Sequence, residues 1–270
     1  AVLSLTEEEK KYIKENPVIQ VAHETNWIPI DYEDKDGKPL GITPSILSII
    51  AQKTGFHFDY ISFSKYVEAF PFIENKANVM LASFSHDYGW AEKSKIKMTT
   101  PLFNLPVSIV ALKHFDDIDD DSLVFAGIEG HYLTEKYVLS HSNYIIVGSV
   151  EECIDAVRDK KADITFVPTY SAERFLQNPK NARLHYHSIA DIPYEISLAF
   201  DEDCDAMLFS VINKAVNSLS SYEVNQSIFD NTLYFKEPDT FQTFLYRHFF
   251  LITILVFTVL IFIVFLAFLA

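Results

Sequence analysis

Two hydrophobic rhythms alternate along the chain. Thr6-Glu7-Glu8-Glu9 has capping-box spacing, Thr6 bonding forward and Glu9 reaching back, and opens a helix that stops before Pro17. Val18 to Ala22 is a short, largely apolar run that predicts a buried strand. Pro44 to Thr54 sets Ile46, Leu47, Ile49 and Ile50 on one helical face, closed by Gly55, and Phe56 to Ile61 alternates as a strand. The order then repeats. Helices are predicted over Tyr66–Asn75, Val150–Lys160, Ser171–Gln177 and Ala206–Leu219, and a further one after Gly130. Strands are predicted over Ala77–Ser83, Ser108–Leu112, Leu123–Gly127, Tyr144–Val147, Asp163–Val167 and Glu195–Phe200. Strands alternating with helices predict α/β architecture with mostly parallel sheets.

The pattern breaks at the C-terminus. Phe249 to Ala270 is 22 residues without a charge. At ~1.5 Å per residue such a helix reaches about 33 Å, enough for the ~30 Å hydrocarbon slab. It is expected to be transmembrane, with Tyr246, Arg247 and His248 as interfacial anchors at its entrance. The chain opens without Met, as a fragment or a chain with its signal peptide removed would, and residues 1–247 are then expected outside the cytoplasm in a single-pass cell-membrane protein.

At 270 residues there is room for one large domain or two lobes of roughly 100 residues each, and 23 Phe with 14 Tyr can fill the cores. Glycine is scarce at 7, against glycine-rich phosphate loops. A net charge of −15 opposes binding to nucleic acid, whose phosphates need Lys and Arg partners. Cys153 and Cys204 form no disulfide framework and are expected as buried thiols, a single disulfide being the alternative. The acidic run Asp116–Asp121 lacks the Gly and terminal Glu of a calcium loop and suits a solvated connection between lobes. His185 and His187 share a strand face without a third ligand, so no metal site is expected. There is no P-loop, dinucleotide fingerprint or nucleophile elbow, which leaves no catalytic residues and no cofactor to assign.

One stretch demands a partner. His23-Glu24-Thr25-Asn26-Trp27-Ile28-Pro29-Ile30 runs from a buried strand into the turn chemistry of Asp34 to Pro39. The turn belongs at the surface. The apolar Trp27–Ile30 segment needs cover, either core or ligand.

Four stretches in order, VIQVAHETNWIPIDYEDKDGKPLGITPSILSIIAQKTGF, ANVMLASFSHDYGWAEKSKIKMTTPLF, GIEGHYLTEKYV and SVEECIDAVRDKKADITFVPTYSAERFL, resemble a family-3 periplasmic solute-binding, or Venus flytrap, domain over about residues 5–235. The opening LTEEEKKYIKENPVIQVA is similar to flytrap domains of membrane-bound sensor proteins of the histidine kinase or diguanylate cyclase/phosphodiesterase type. The resemblance implies a bilobed periplasmic-binding-protein type II fold with two crossover strands, near Ser108–Leu112 and Glu195–Phe200, followed by the transmembrane helix. The expected division is an N-terminal helix (1–17), lobe 1 (18–108 and 199–235), lobe 2 (109–198), a juxtamembrane helix (236–248) and the span (249–270).

The same resemblance implies a ligand site in the cleft. Trp27 matches the aromatic that packs over the ligand, with Glu24 beside it; the alternative is that Trp27 only fills core. Ser83, Ser85, Asp87 and Trp90 match the segment that meets ligand polar atoms. Gly130, His131 and Tyr132 match the second lobe's ligand loop at a helix N-terminus, where free N–H groups favour an anion; Tyr170 is a further candidate. Two departures stand out. Amino-acid-binding members clamp the ligand carboxylate with an Arg after the Ser motif; here Asp87 to Lys93 contains none. Members that grip the α-amino group place Asp where this chain has Pro168. The expected ligand is therefore a small molecule other than a conventionally bound α-amino acid, in an aromatic-lined pocket suited to a cationic or neutral compound. The implied protein is a non-enzymatic sensor, a homodimer in the bilayer, that relays lobe closure through the membrane helix. A solute-binding protein serving an ABC transporter, a flytrap-fold dehydratase and a ligand-free domain sensing a protein partner are the alternatives.

Overall fold

The computed structural model describes residues 3–113, 122–190, 192–233, 244–245 and 248–269. The Asp116–Asp121 run lies outside the described residues, as do Tyr246, Arg247 and most of the expected juxtamembrane helix.

Helix α1 (Glu7–Glu15) begins at the Thr6–Glu9 capping box, both of whose hydrogen bonds form. Strand β1 (Val18–Glu24) continues two residues past its expected end. Short strands β2 (Asn26–Trp27), β3 (Asp31–Glu33) and β4 (Pro39–Leu40) make a small antiparallel sheet of their own. Gly41 then turns the chain into α2 (Ile42–Thr54) at φ 119°, where a Cβ would press on the Ile30 carbonyl. Strand β5 (His57–Phe63), helix α3 (Tyr66–Ile73), strand β6 (Val79–Ser85), helix α4 (Tyr88–Lys93) and strands β7 (Ile96–Met98) and β8 (Phe103–Asn104) follow. The second lobe carries β9 (Val107–Ala111), β10 (Phe125–Ile128), a π-helical turn (Thr134–Val138), β11 (Tyr144–Val147), α5 (Val150–Arg158), β12 (Ile164–Pro168), α6 (Thr169–Leu176) and β13 (His185–Ile189). The chain ends with β14 (Glu195–Asp201), α7 (Ala206–Asn217), α8 (Ser221–Thr232) and the apolar helix Phe249–Leu269.

The molecule is a bilobed α/β fold of the periplasmic-binding-protein kind, with mixed sheets. The main sheet of lobe 1 has six strands in the order β5-β1-β6-β14-β7, with β8 also on β14; the lobe 2 sheet has five, in the order β11-β10-β12-β9-β13. The β1, β5, β6 and β10, β11, β12 pairings are parallel, and the strands that return from the other lobe, β14 and β9, pair antiparallel. The chain crosses between sheets at Leu105-Pro106 and again between β13 and β14, each just before the strand expected to make the crossing. The two crossings run together: the Leu105 N–H bonds the Tyr194 carbonyl at 2.7 Å, and Glu195 faces Asn104. One buried apolar cluster runs through this junction, from Ile19 and Ile46 through Trp27, Leu105 and Tyr194 to Phe125 and Ile164. Cys153 and Cys204 are both buried free thiols. The helix Phe249–Leu269 is long and apolar enough to cross a membrane, and none of its best window is buried within the molecule.

Candidate functional site

Period-two alternation sends the last residues of β1 to opposite faces. His23 turns into lobe 1, where its Nδ1 lies 3.0 Å from Asp31 and its Nε2 3.0 Å from Glu33. Tyr60 meets it edge-on. Burial opposes the imidazolium there, but the hydrogen bonds and charges of Asp31 and Glu33 outweigh it and raise its pKa. Ser83 caps this network from β6, its hydroxyl 2.7 Å from Thr43 Oγ1 and 3.4 Å from Asp31, at a left-handed φ of 57°. That hydroxyl is thus engaged inside lobe 1, beneath the cleft.

Glu24 turns the other way, to the cleft. Its carboxylate oxygens lie 3.0 and 3.2 Å from Nε2 of His131, on the lobe 2 loop that follows β10. Both residues are buried. Trp27, 2% exposed, meets the His131 ring edge-on at 5.1 Å, and Tyr66, at the start of α3, meets it at 5.4 Å. Tyr194, on the second crossing, lies 6.4 Å from Trp27 and stacks on Tyr132 at 5.5 Å. Burial pushes the phenols of Tyr66 and Tyr194 up, with the Ser85 hydroxyl pulling Tyr194 back.

A second set of contacts lies alongside. Asp87 caps α4 by accepting the Trp90 N–H at 2.8 Å, then reaches lobe 2, accepting from Tyr132 Oη at 2.9 Å and Lys136 Nζ at 3.2 Å. The Trp90 N–H is the chief cause of its lowered carboxyl pKa, ahead of the Tyr132 and Lys136 bonds. Lys136 also donates to the Tyr132 oxygen, and that bond is the main reason its ammonium is pushed up to about 12. Trp90 meets Tyr132 at 6.1 Å. Asp87, Gly89, Trp90, Lys93, Tyr132 and Lys136 line an inter-lobe crevice of about 260 Å³. A larger one, about 510 Å³, lies on lobe 1 around Asn75, Lys95 and Asp203 and shares only Lys93 with that crevice. Two further ties join the lobes: the Ser171 hydroxyl donates to the Ile28 carbonyl at 2.6 Å, and Lys65 pairs with Glu129 at 2.8 Å. Between them, Gly130 sits at φ 73° so close to lobe 1 that a Cβ would overlap Val67.

Nine of the ten residues singled out from sequence therefore lie in or directly below the cleft: Glu24, Trp27, Ser83, Ser85, Asp87, Trp90, Gly130, His131 and Tyr132. Tyr170, half-buried on α6, has no hydrogen bond or ring contact to this group among the described residues; its neighbour Ser171 makes the bridge instead. Tyr66, Tyr194, Ser171 and Lys136 were not foreseen. Tyr66 and Ser171 each carried a sequence signal, as the first residue of a predicted helix. Pro168 ends β12 and leads directly into α6, and the Lys136 ammonium is already paired to Asp87.

Residues 19–231 match the bacterial extracellular solute-binding proteins, family 3. The chain belongs to this family. Its members are extracellular solute-binding proteins. The VFT2 periplasmic domain of BvgS from Bordetella pertussis is similar at 22% identity and TM-score 0.72, covering 84% of this chain and 98% of that one. A histidine kinase sensor domain with similarity to periplasmic binding proteins superposes at TM-score 0.69 and 15% identity, covering 82% and 98%. The Streptococcus pneumoniae substrate-binding protein AbpA, solved with L-arginine, does so at TM-score 0.69 and 16% identity, covering 82% and 97%. At these identities the likeness is one of fold. No curated protein sequence matches the chain.

Proposed function

We propose that this family-3 domain is the extracytoplasmic sensor of a single-pass membrane receptor. It binds a small solute between lobe 1 (18–108 and 199–235) and lobe 2 (109–198), and passes lobe closure through 236–248 to the apolar helix, in a homodimer with a cytoplasmic kinase or cyclic-dinucleotide output. The observation that carries this is the convergence of Glu24, Trp27, Tyr66 and Asp87 from one lobe with His131, Tyr132 and Lys136 from the other, beside two adjacent crossings that can act as a hinge. A ligand shifts such an equilibrium only by its preference for the closed state. A membrane helix placed after the domain favours signalling over solute delivery to a transporter. The ligand is not held as an ordinary α-amino acid: the segment Asp87 to Lys93 after Ser85 contains no Arg, Pro168 replaces an acidic anchor, and Lys136 is committed to Asp87. A domain that senses a protein partner without a small ligand has one specific support, that Glu24 and His131 already satisfy each other across the cleft.

Thermal unfolding of the whole chain in detergent micelles, against amino acids, polyamines, nucleosides and aromatic acids, tests the proposal. A ligand at 100 times its Kd adds about 2.7 kcal/mol, a rise on the order of 5–10 °C. A hit that disappears in Trp27→Ala is the expected result. A flat panel counts against a small solute and for the ligand-free alternative.

A further inference from the structure

Helix α8 turns one side to lobe 1 and leaves the other exposed. Ser227 is buried, Val224 and Ile228 pack against the core, and Asn231 donates to Ser45 Oγ at 2.9 Å. Glu223 pairs with Lys53 of α2 at 2.9 Å, so the helix is fastened to lobe 1 along its length. The outer side is not the polar stripe expected of a surface helix. Tyr222, Gln226, Phe229 and Leu233 follow one another at steps of four, three and four residues. At 3.6 residues per turn they fall within an arc of about 60°. Tyr222 is 75% exposed, Phe229 42%, and Leu233, at the C-cap, 65%. Alternating steps of four and three make the a/d seam of a coiled coil. Gln226 is the polar member of this seam, its amide donating to Asp230 at 2.7 Å.

We propose that this face is a self-association surface, and that its partner is the same helix of a second copy of this chain, packed parallel and in register. It deepens the homodimer of the receptor described above and rests on that reading. Charge selects the partner and its direction. With Tyr222 and Phe229 at d and Gln226 and Leu233 at a, Glu223 and Asp230 flank the seam on one edge and Asn225 and Thr232 on the other. A parallel pair sets Asn225 beside the partner's Asp230, an amide against a carboxylate. An antiparallel pair sets Glu223 beside the partner's Asp230, two carboxylates in a chain of net charge −15. Chain length points the same way. Only residues 234–248 separate the seam from the apolar helix, and a parallel pair directs both chains at one bilayer without doubling either back. The 12 residues of the helix run about 18 Å, too short to bury the ~800 Å² per partner of a stable interface. The pair therefore forms between copies concentrated by a shared membrane. Because α8 is fastened to α2, the contact joins lobe 1 to lobe 1 and leaves lobe 2 to move.

The test uses the whole chain in lipid vesicles, keeping Cys153 and Cys204, which are buried. Tyr222→Cys, Gln226→Cys and Leu233→Cys are made singly, with Tyr144→Cys, exposed on the edge strand of lobe 2, as control. Under mild copper-phenanthroline oxidation, each α8 variant is expected to form a disulfide-linked dimer about tenfold or more faster than Tyr144→Cys. If tagged Tyr222→Cys and Leu233→Cys chains cross-link to each other faster than to themselves, the pair is antiparallel and the proposal is overturned. Tyr222→Lys combined with Leu233→Lys should weaken dimerisation in detergent micelles by about tenfold, with circular dichroism unchanged. A folded double variant that dimerises like the wild type overturns the proposal. A wild-type chain that stays monomeric at every concentration removes the homodimer and this surface together, and the ligand panel still decides sensing. A wild-type dimer whose α8 variants cross-link no faster than the control keeps the homodimer and removes this surface. Maleimide then names the occupant: α8 cysteines shielded only in vesicles lie against lipid, and those shielded in detergent as well lie under residues 234–243.

Discussion

His23 and Glu24 are neighbours on one strand with opposite tasks. Glu24 faces the other lobe, and His23 ties β1 to β3 through Asp31 and Glu33. Burial works against the His23 imidazolium, but its two carboxylate partners outweigh burial and hold its pKa above 6.5; burial raises the Asp31 carboxyl too, so the pair keeps its proton. A group whose folded pKa is raised stabilises in full below its unfolded value, about 6.5 for His, and that contribution disappears as pH rises through the folded value. Denaturant midpoints of the wild type should therefore fall above about pH 6.5, and His23→Gln should flatten that limb. Parallel pH profiles for the two proteins would place the proton elsewhere. The left-handed Ser83 belongs to the same network, which explains why this hydroxyl, expected at a ligand, instead bonds Thr43.

At the scale of elements, boundaries moved where tertiary contacts extended or cut a local pattern. Strand β1 runs on through His23-Glu24 because β5 pairs with it to the end, Glu24 opposite Phe63. Helix α5 stops at Arg158, short of the expected Lys160, which adopts φ 60°. Both capping boxes, Thr6–Glu9 and Ser220–Glu223, form, the second starting α8. The apolar helix needs no partner to be recognised, since its whole length lacks charge. Leu260→Arg places a cation near its middle at about 2.5–3.5 kcal/mol. Membrane-fraction protein after carbonate extraction should drop sharply in that variant, and an unchanged fraction would show that this helix does not span.

Across the whole molecule, the lobes meet through specific contacts around the cleft, and at Gly130 they leave no room for a side chain. Gly130→Ala adds a methyl where Val67 already stands and forces an L-residue to φ 73°. Overpacking of this kind costs about 1–3 kcal/mol. Because it acts between lobes, the relief is opening rather than local unfolding. Small-angle scattering of the variant should give a larger radius of gyration, with helix content unchanged by circular dichroism. A variant as compact as the wild type would mean that the loop yields within lobe 2.

The strand–helix order, the first capped helix and the apolar terminal helix were legible from the chain alone, because each depends on periodicity or on motifs a few residues long, whereas the cleft positions were implied by the resemblance to the family. The pairing inside the cleft was not. Glu24 and His131 lie 107 residues apart, Ile28 and Ser171 lie 143 apart, and nothing local to either member announces the other. Tyr194 falls in no predicted element, and only the crossings place it between Trp27 and Tyr132. Local propensity sets the elements, whereas contacts across a cleft exist only once two separately built lobes close on each other, and only the tertiary structure could decide that His131 fills the box that Glu24, Trp27 and Tyr66 enclose.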